Sequence, residues 1–400
     1  LIYVHPDRVE VYLNQSGNSF SAPVTIYLPA PFSALDQINF ADILGNGTSC
    51  LVFTKITPTP VQYWYNFAGE TPTESGNVTA CIKPYLLCQI DNHLGSLTTI
   101  RYGSSTRYAL EDKQKGRPWP TTLPFPVQVV EEISIHDSIS GLHTTQRYSW
   151  HDGYYDSQDR AFRGFGYVES WDTESEESGA GKTGSISPVY TRSWFLTGAY
   201  AEYNTLLNQY RQEYFNKDTE ALDFPRSFFD PDIYSHNDST IRQAYNALRD
   251  KLLRREVYAA DLSTLSDIPY TVEESNYTVV LIQAANEEDH GVYRIDSRES
   301  IVYNYERNYQ DPAATQQFTL EVDPLCGEVK KACTVFLSRR DVPTPSSRIY
   351  PEQLQLKATA ISNQYINTDQ QSDYRYRGLS YDQQEFQLIN LSIGSGQYFS

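Results

Sequence analysis

The sequence predicts a mainly β protein, and three observations predict it. Segment after segment alternates apolar and polar residues with a period of two, as in RVEVYL (8–13) and VTIYL (24–28). The chain carries 32 tyrosines, and they fall in strand-like runs such as IVYNYERNY (301–309) and SDYRYRGLSYD (372–382). Rings of this kind stack across strands while keeping a hydroxyl near water. Clusters of Asn, Asp, Gly and Pro separate the strand-sized runs, where turns need them.

Taken in order, residues 8–28 read as strand, polar turn at Asn14–Asn18, strand. INFADILGNGTSCLVF (38–53) is an apolar lead, an Asp/Asn/Gly loop and a second strand, the element order of an FG-GAP-type propeller blade. Residues 54–80 are rich in Thr, Pro, Gly and Ser and read as a connection. KPYLLCQIDNHLGSLTTIRYG (83–103) carries a hairpin signal at Asn92–Gly95. RPWPTTLPFPVQVVEEISIHD (117–137) sets four prolines before a strand at Val127–Ile135, which places that strand at a sheet border or at the exit of a loop. HDGYYDSQDRAFRGFGYVESWDTE (151–174) reads as a hairpin whose acids occupy turns and outer faces. Its Gly164 and Gly166 alternate so that a ring or backbone can approach closely.

ESEESGAGKTGSISP (174–188) is acidic and then Gly/Ser-rich, a flexible loop. SWFLTGAYAEYNTLLNQYRQEYF (193–215) is mixed. STIRQAYNALRDKLLRR (239–255) is the clearest helix, with Ile241, Tyr245, Leu248 and Leu252 on one face and Asp238 or Ser239 as cap. Strands then resume, ending in a strand, a turn at Pro324–Gly327 and a return strand.

Composition excludes several classes. The net charge is −18 with acids spread along the chain, a field that disfavours nucleic acid and anionic membranes. No apolar run approaches the ~20 residues of a membrane helix, and the first thirty residues show no signal peptide. The chain lacks Met and starts at Leu1 inside a strand-like run, as expected of a piece of a longer chain. The five cysteines form no CxxC pair and read as buried free thiols.

Candidate chemistry is sparse. Asp42 and Asn46 with Gly47 resemble a calcium loop, but Leu44 stands at the middle ligand position, so the loop reads as a blade turn and not a metal site. Asp156 and Asp159, with His151 nearby, could serve as a carboxylate pair in glycoside chemistry. Nothing around them orients a nucleophile or supplies an oxyanion site, so they read as turn residues. GAGKTG (179–184) lacks the spacing of a phosphate loop, and no G-x-S-x-G elbow occurs. The sequence predicts no catalytic residue and no cofactor. Its structural candidates are Arg117, Trp119, Tyr155, Asp156, Phe162, Arg163, Gly164, Phe165 and Gly166.

The stretches at 83–131 and 151–174, followed by SPVYTRSWFLTGAY, LLRREVYAAD, PYTVEESNYTV and SRESIVYNYERNYQDPAATQQFTLEVD, resemble the middle region of TcB-type B components of insecticidal Tc toxin complexes (TcdB/TcaC-like toxins, related to SpvB and RHS proteins). The resemblance covers about residues 1–340. Ser157 and Ala161 depart from the Gly and Glu usual in that family at these places.

The resemblance implies the end of an FG-GAP-type β-propeller at 1–66 and a linker at 67–80. It then implies an RHS/YD-repeat-like β-shell at 81–175 and 188–400, with a flexible loop at 176–187 and one short helical insertion near 239–255. It further implies a non-enzymatic scaffold that helps enclose a toxic polypeptide. The partners it implies are an RHS-type C component with its cargo and a pentameric A component, with no nucleic acid and no membrane contact by this segment. The assembly would form in the cytoplasm and act outside the cell. The runner-up reading is a secreted β-propeller that binds or cleaves carbohydrate, or an FG-GAP adhesion module.

Overall fold

A computed structural model describes residues 1–67, 83, 86–176, 184–185, 187–285, 290–340, 349–368 and 375–391. The expected linker from residue 68 onward, and the expected loop at 177–183 and 186, lie outside the described residues. The chain forms two compact units. One comprises Leu1–Cys88 with Arg101–Arg107 and Phe125–Val130; the other comprises Gln89–Ile100, Tyr108–Pro124 and Glu131–Ser400.

The first unit holds two three-stranded sheets, Ile2–Val4/Arg8–Val11/Val24–Tyr27 and Gln37–Ala41/Cys50–Lys55/Val61–Asn66, and a small hairpin, Asn14–Gln15 with Ser19–Phe20. Its core is the middle strand of the second sheet, where Cys50, Leu51, Val52 and Phe53 are all buried. The loop after Ala41 is closed by Asp42, whose carboxylate accepts from the amides of Asn46 (3.1 Å) and Gly47 (2.7 Å). Gly45 and Gly47 take the left-handed φ values of +60° and +77° that this turn requires.

The second unit is built on one sheet, of which residues 101–104 and 128–130 are counted with the first unit. Its strands are β1 (Gln89–Asp91), β2 (Ser96–Ser104), β3 (Gln128–Asp137), β4 (Leu142–Asp156), β5 (Ala161–Glu176), β6 (Val189–Leu196), β7 (Lys251–Ala259), β8 (Thr271–Gln283), β9 (Val292–Asn304), β10 (Ala313–Val322), β11 (Val329–Phe336), β12 (Lys357–Ile366) and β13 (Leu379–Leu388). Each strand pairs with the next in chain order, so the sheet is a meander, antiparallel throughout β3–β13. Two short strands join it from the side: Gly184–Ser185 against β5 and Phe228–Phe229, in parallel, against β8. The Asn92–Gly95, Gly141 and Pro324–Gly327 turns all link neighbouring strands as their sequences predict. The strand after the prolines, β3, lies between β2 and β4 and not at a border; the prolines end before its ladder begins.

Among the described residues three α-helices interrupt the meander where the sequence suggests one. Helix α1 (Ser105–Gln114) follows β2; α2 (Tyr203–Glu213) and α3 (Asp238–Asn246) fall between β6 and β7. Helix α3 is capped by Asn237, whose side chain accepts from Thr240 N at 2.9 Å, and not by Asp238 or Ser239. It ends at Asn246, half-way through the predicted helix. From Lys251 the same apolar-rich run is strand β7, because Arg254, Glu256 and Tyr258 are buried on alternate positions and the backbone pairs on both sides, with β6 and β8. Ladder pairing on both edges overrides a helix propensity that favours Leu and Arg by tenths of a kcal/mol.

The register places one line of side chains across ten strands. His151 stands opposite Tyr167, Tyr167 opposite Trp194, Trp194 opposite Arg254 and Arg254 opposite Glu274. The line continues through Ile301, Gln316, Val335, Ala358 and Leu388. Trp194, Gln316 and Val335 in this line are fully buried. Helices α2 and α3 cover its aromatic end, with Leu206, Leu207, Tyr210, Ala244 and Leu248 in one core with Tyr167 and Trp194.

Charged members of the line are matched. Arg254 donates to Glu256 (2.7 Å) and Glu274 (2.6 Å), and Glu256, wholly buried, also accepts from Tyr258 (2.7 Å) and the Phe215 amide (2.8 Å). Removing one partner of a buried pair strands the other's charge, at about 3–5 kcal/mol. Arg254→Ala is therefore expected to lower unfolding stability by about that amount in chemical denaturation. A loss under about 1 kcal/mol, the range of a surface pair, would contradict this role.

Candidate functional site

The β4–β5 hairpin and the elements packed on it hold the residues singled out from the sequence. Strict alternation would bury every second residue of β4, yet His151, Asp152, Gly153 and Tyr154 are buried in succession. A bulge between Gly153 and Tyr155, with Asp152 at φ +53°, makes this possible. The expectation that the hairpin's acids sit in turns and on outer faces is corrected for Asp152, which is buried within β4, whereas Asp156 and Asp159 do lie at the turn. Asp152 and Asp156 are 3% and 8% exposed, because the segments that cover the hairpin come from far away in sequence.

His151 is the centre of the first cluster. Its Nδ1 lies 2.8 Å from Asp112 of α1 and its Nε2 lies 3.3 Å from Glu169 of β5. Burial alone would lower the His151 pKa; the hydrogen bonds to Asp112 and Glu169 overcome it and push it up to about 9. Burial likewise opposes ionisation of Glu169, but bonds from His151, Tyr190 and Tyr167 pull its pKa down to about 2. The cluster is a buried ion pair, and Ser149 Oγ also lies 2.9 Å from His151 Nε2.

The glycines seat aromatic side chains. A Cβ at Gly153 would stand 2.5 Å from the Trp119 ring, and one at Gly166 would overlap the Tyr210 hydroxyl. Trp119 meets Phe165 edge-on at 5.9 Å and donates from Nε1 to Asp112 at 2.7 Å; Phe165 in turn packs on Phe162 (5.3 Å) and Trp150 (5.2 Å). Arg117 reaches Glu213 of α2 at 2.8 Å. Gly164 takes φ +103°, with Asp250 Oδ1 beside it. The structure thus brings Arg117, Trp119, Phe162, Gly164, Phe165 and Gly166 together around one hairpin.

Tyr155, Asp156 and Arg163 sit at the hairpin tip. The Tyr155 amide donates to Thr121 Oγ1 (2.9 Å), and Asp156 accepts from the amides of Gln158 (3.0 Å) and Asp159 (3.1 Å), closing the turn. Arg163 and Arg242 bind Asp159, the latter at 2.7 Å, and Asn246 adds a third donor at 3.1 Å. Both carboxylates are therefore held by arginines and turn amides, and neither faces the other across a free gap. A cleft of about 400 Å³ opens beside the tip, with Tyr155, Tyr200, Glu202, Asp238 and Arg242 on its walls.

Asp42 and Asn46 lie in the other unit, closing their own loop. Among the described residues no group of three or more His, Cys, Asp or Glu is placed to hold a metal ion. Cys50 and Cys333 are buried, whereas Cys88 is exposed and Cys326 half-buried, so the expectation of uniformly buried thiols is corrected. Sequence reasoning missed Asp112, Tyr210 and Glu213. Tyr203, Leu206, Leu207, Tyr210 and Tyr214 at helical spacing were a usable signal for α2. Nothing comparable marked Asp112, since the covered face of α1 is Ser105, Tyr108 and Asp112.

Residues 14–198 match the family model for the insecticide toxin TcdB middle/N-terminal region, and residues 243–391 match that for its middle/C-terminal region. The chain belongs to the TcB-type B components of insecticidal Tc toxin complexes. Solved structures agree with this. The chain is 28% identical to a chain of the Photorhabdus luminescens Tc holotoxin pore, at a TM-score of 0.80, covering 97% of this chain and 18% of that one. It is 28% identical to a chain of the TcdB2-TccC3 complex (TM-score 0.80; 96% and 19% covered). For TcdB2-TccC3 without its hypervariable C-terminal region the values are 27% and 0.84, with 99% and 19% covered. This B-component chain therefore spans under a fifth of the length of the chains it matches. No curated protein matches it.

The His151 cluster sets a pH dependence. A folded-state pKa above the ordinary value of 6.5 means that the stabilisation is complete below about pH 6.5 and lost as pH rises through about 9. The loss is on the order of 3 kcal/mol. Glu169 acts oppositely: its contribution is complete above 4.5 and lost as pH falls through about 2. Thermal unfolding midpoints are expected to fall between pH 6.5 and 9.5, and His151→Gln to flatten most of that fall. An unchanged slope in the variant would refute the assignment.

Proposed function

We propose that this segment is wall in a B component that, with an RHS-type C component, encloses a toxic polypeptide, and that it acts without catalysing a reaction. The observation that carries the reading is the unbroken meander of the second unit. Its buried line of side chains runs from His151 to Leu388 without a gap in pairing. Strands β2 to β12 pair on both sides and offer an unfolded cargo no edge to join, and among the described residues only β1 and β13 end the path. The likeness to chains in TcdB2-TccC3 structures supports a C-type partner. We further propose that residues 1–66 end a propeller that docks on a pentameric A component, and that 81–175 and 188–400 are two parts of one shell. The complex would form in the producing cell and work outside it. Among the described residues no helix is long and apolar enough to cross a membrane.

The second reading, a saccharide-binding module, draws on the tyrosine- and carboxylate-lined cleft beside Asp156. One experiment separates the two. In the assembled complex with its C component, the cargo is expected to resist protease until the shell is denatured, and Asp156→Asn with Asp159→Asn to leave both protection and toxicity unchanged. Cargo cleaved as fast as the free polypeptide would overturn the wall. A saccharide-dependent activity lost in the double variant would establish the second reading instead.

A further inference from the structure

At the junction between α2 and the β4–β5 hairpin, two buried polar atoms, Asp152 Oδ2 and the Tyr210 hydroxyl, have no hydrogen-bond partner among the described residues. They are neighbours across Gly166: a Cβ there would overlap that hydroxyl and stand 3.3 Å from Asp152 Cβ. The other Asp152 oxygen accepts from Gln209 Nε2 of α2 at 3.0 Å, a neutral donor. The charged groups around it are already committed. His151, beside it on β4, is bound by Asp112 of α1 and Glu169 of β5; Arg117, in the loop after α1, is bound by Glu213 of α2. Two cations thus face three carboxylates before Asp152 is counted, so an ionised Asp152 adds an uncompensated negative charge next to Glu213 on the helix it must hold.

We propose that Asp152 is a proton-controlled latch for the helical insertion: neutral, it keeps α2 seated on the hairpin, and ionised, it loosens α2 from the sheet. Burial, then repulsion from Glu213, pushes its pKa up to about 7 against the attraction of His151. Because the folded value lies above the ordinary 3.8, the seated state loses stability as pH rises through about 7. His151 keeps its charge across that interval and does not produce the step. The device lies in the wall and uses no cargo, so it stands or falls independently of the encapsulation reading.

Hydrogen exchange of the peptide spanning residues 203–213, corrected for the intrinsic pH dependence of exchange, tests the latch in the protein at its natural length. Protection of α2 is expected to fall by up to about tenfold between pH 6 and pH 8. Asp152→Asn, neutral and nearly the same shape, is expected to hold protection equal at both values. Glu213→Gln removes the repulsion and releases Arg117, and is expected to move the step to lower pH. Equal protection of the unmodified protein at both pH values, or a step that survives Asp152→Asn, would overturn the proposal. Should Asp152→Asn fail to fold, a step that Glu213→Gln does not move overturns it equally.

Discussion

Within the second unit, most of the organisation depends on keeping a single face of the sheet covered from His151 to Leu388. A meander has no crossover helices to lock its strands, so register must come from the side chains themselves. Here the aromatic end supplies it through stacking: His151 on Tyr167 at 5.0 Å and Tyr167 on Trp194 at 4.9 Å, nearly parallel. A one-residue slip of any strand would turn these rings to the other face and expose them. The next positions, Arg254 and Glu274, continue the line with charge instead of rings, and a slip there would separate a buried cation from its carboxylates. Both kinds of pairing make the same register the favourable one.

The insertions follow from that constraint. A sheet face carrying Trp194, Arg254 and Glu256 cannot be left to solvent on one side and stripped of partners on the other, so the chain leaves the sheet after β6 and returns with α2 and α3 laid across it. Close approach of these helices needs a position with no side chain, and Gly166 provides it beneath Tyr210. Gly153 does the same for Trp119. The polar groups caught underneath, His151 and Asp112 above all, are then paired with each other. The cluster of acids and a histidine seen in the sequence lies where the helices cover the sheet face.

Much of the fold was legible because it rests on local signals. The hairpins at Asn92–Gly95, Gly141 and Pro324–Gly327 announce themselves through turn residues and flanking alternation, and the close approach at Gly166 could be read from its spacing with Gly164. The limits are equally physical. Helix α1 has no apolar stripe, because the face it buries is Ser105, Tyr108 and Asp112. Residues 251–255 carry Leu and Arg, which suit a helix as well as a strand, and only pairing with β6 and β8 decides between them. The burial of Asp152 and Asp156 depends on contacts with α2 and α3, dozens of residues away, that no local pattern encodes. The residues singled out from the sequence gather on one hairpin, but the charged partners Asp112 and Glu213 belong to that same long-range layer.

The central claim is that one covered line of side chains makes β4 through β11 a single structural unit. Native-state hydrogen exchange followed against increasing denaturant tests it most directly. If the claim holds, the slowest amides of β4, β5, β6, β7, β8, β9, β10 and β11 converge on one common opening free energy. If the strands from β9 onward open together at a distinctly lower free energy while β4 to β8 stay protected, the line is two independent patches and the account is wrong.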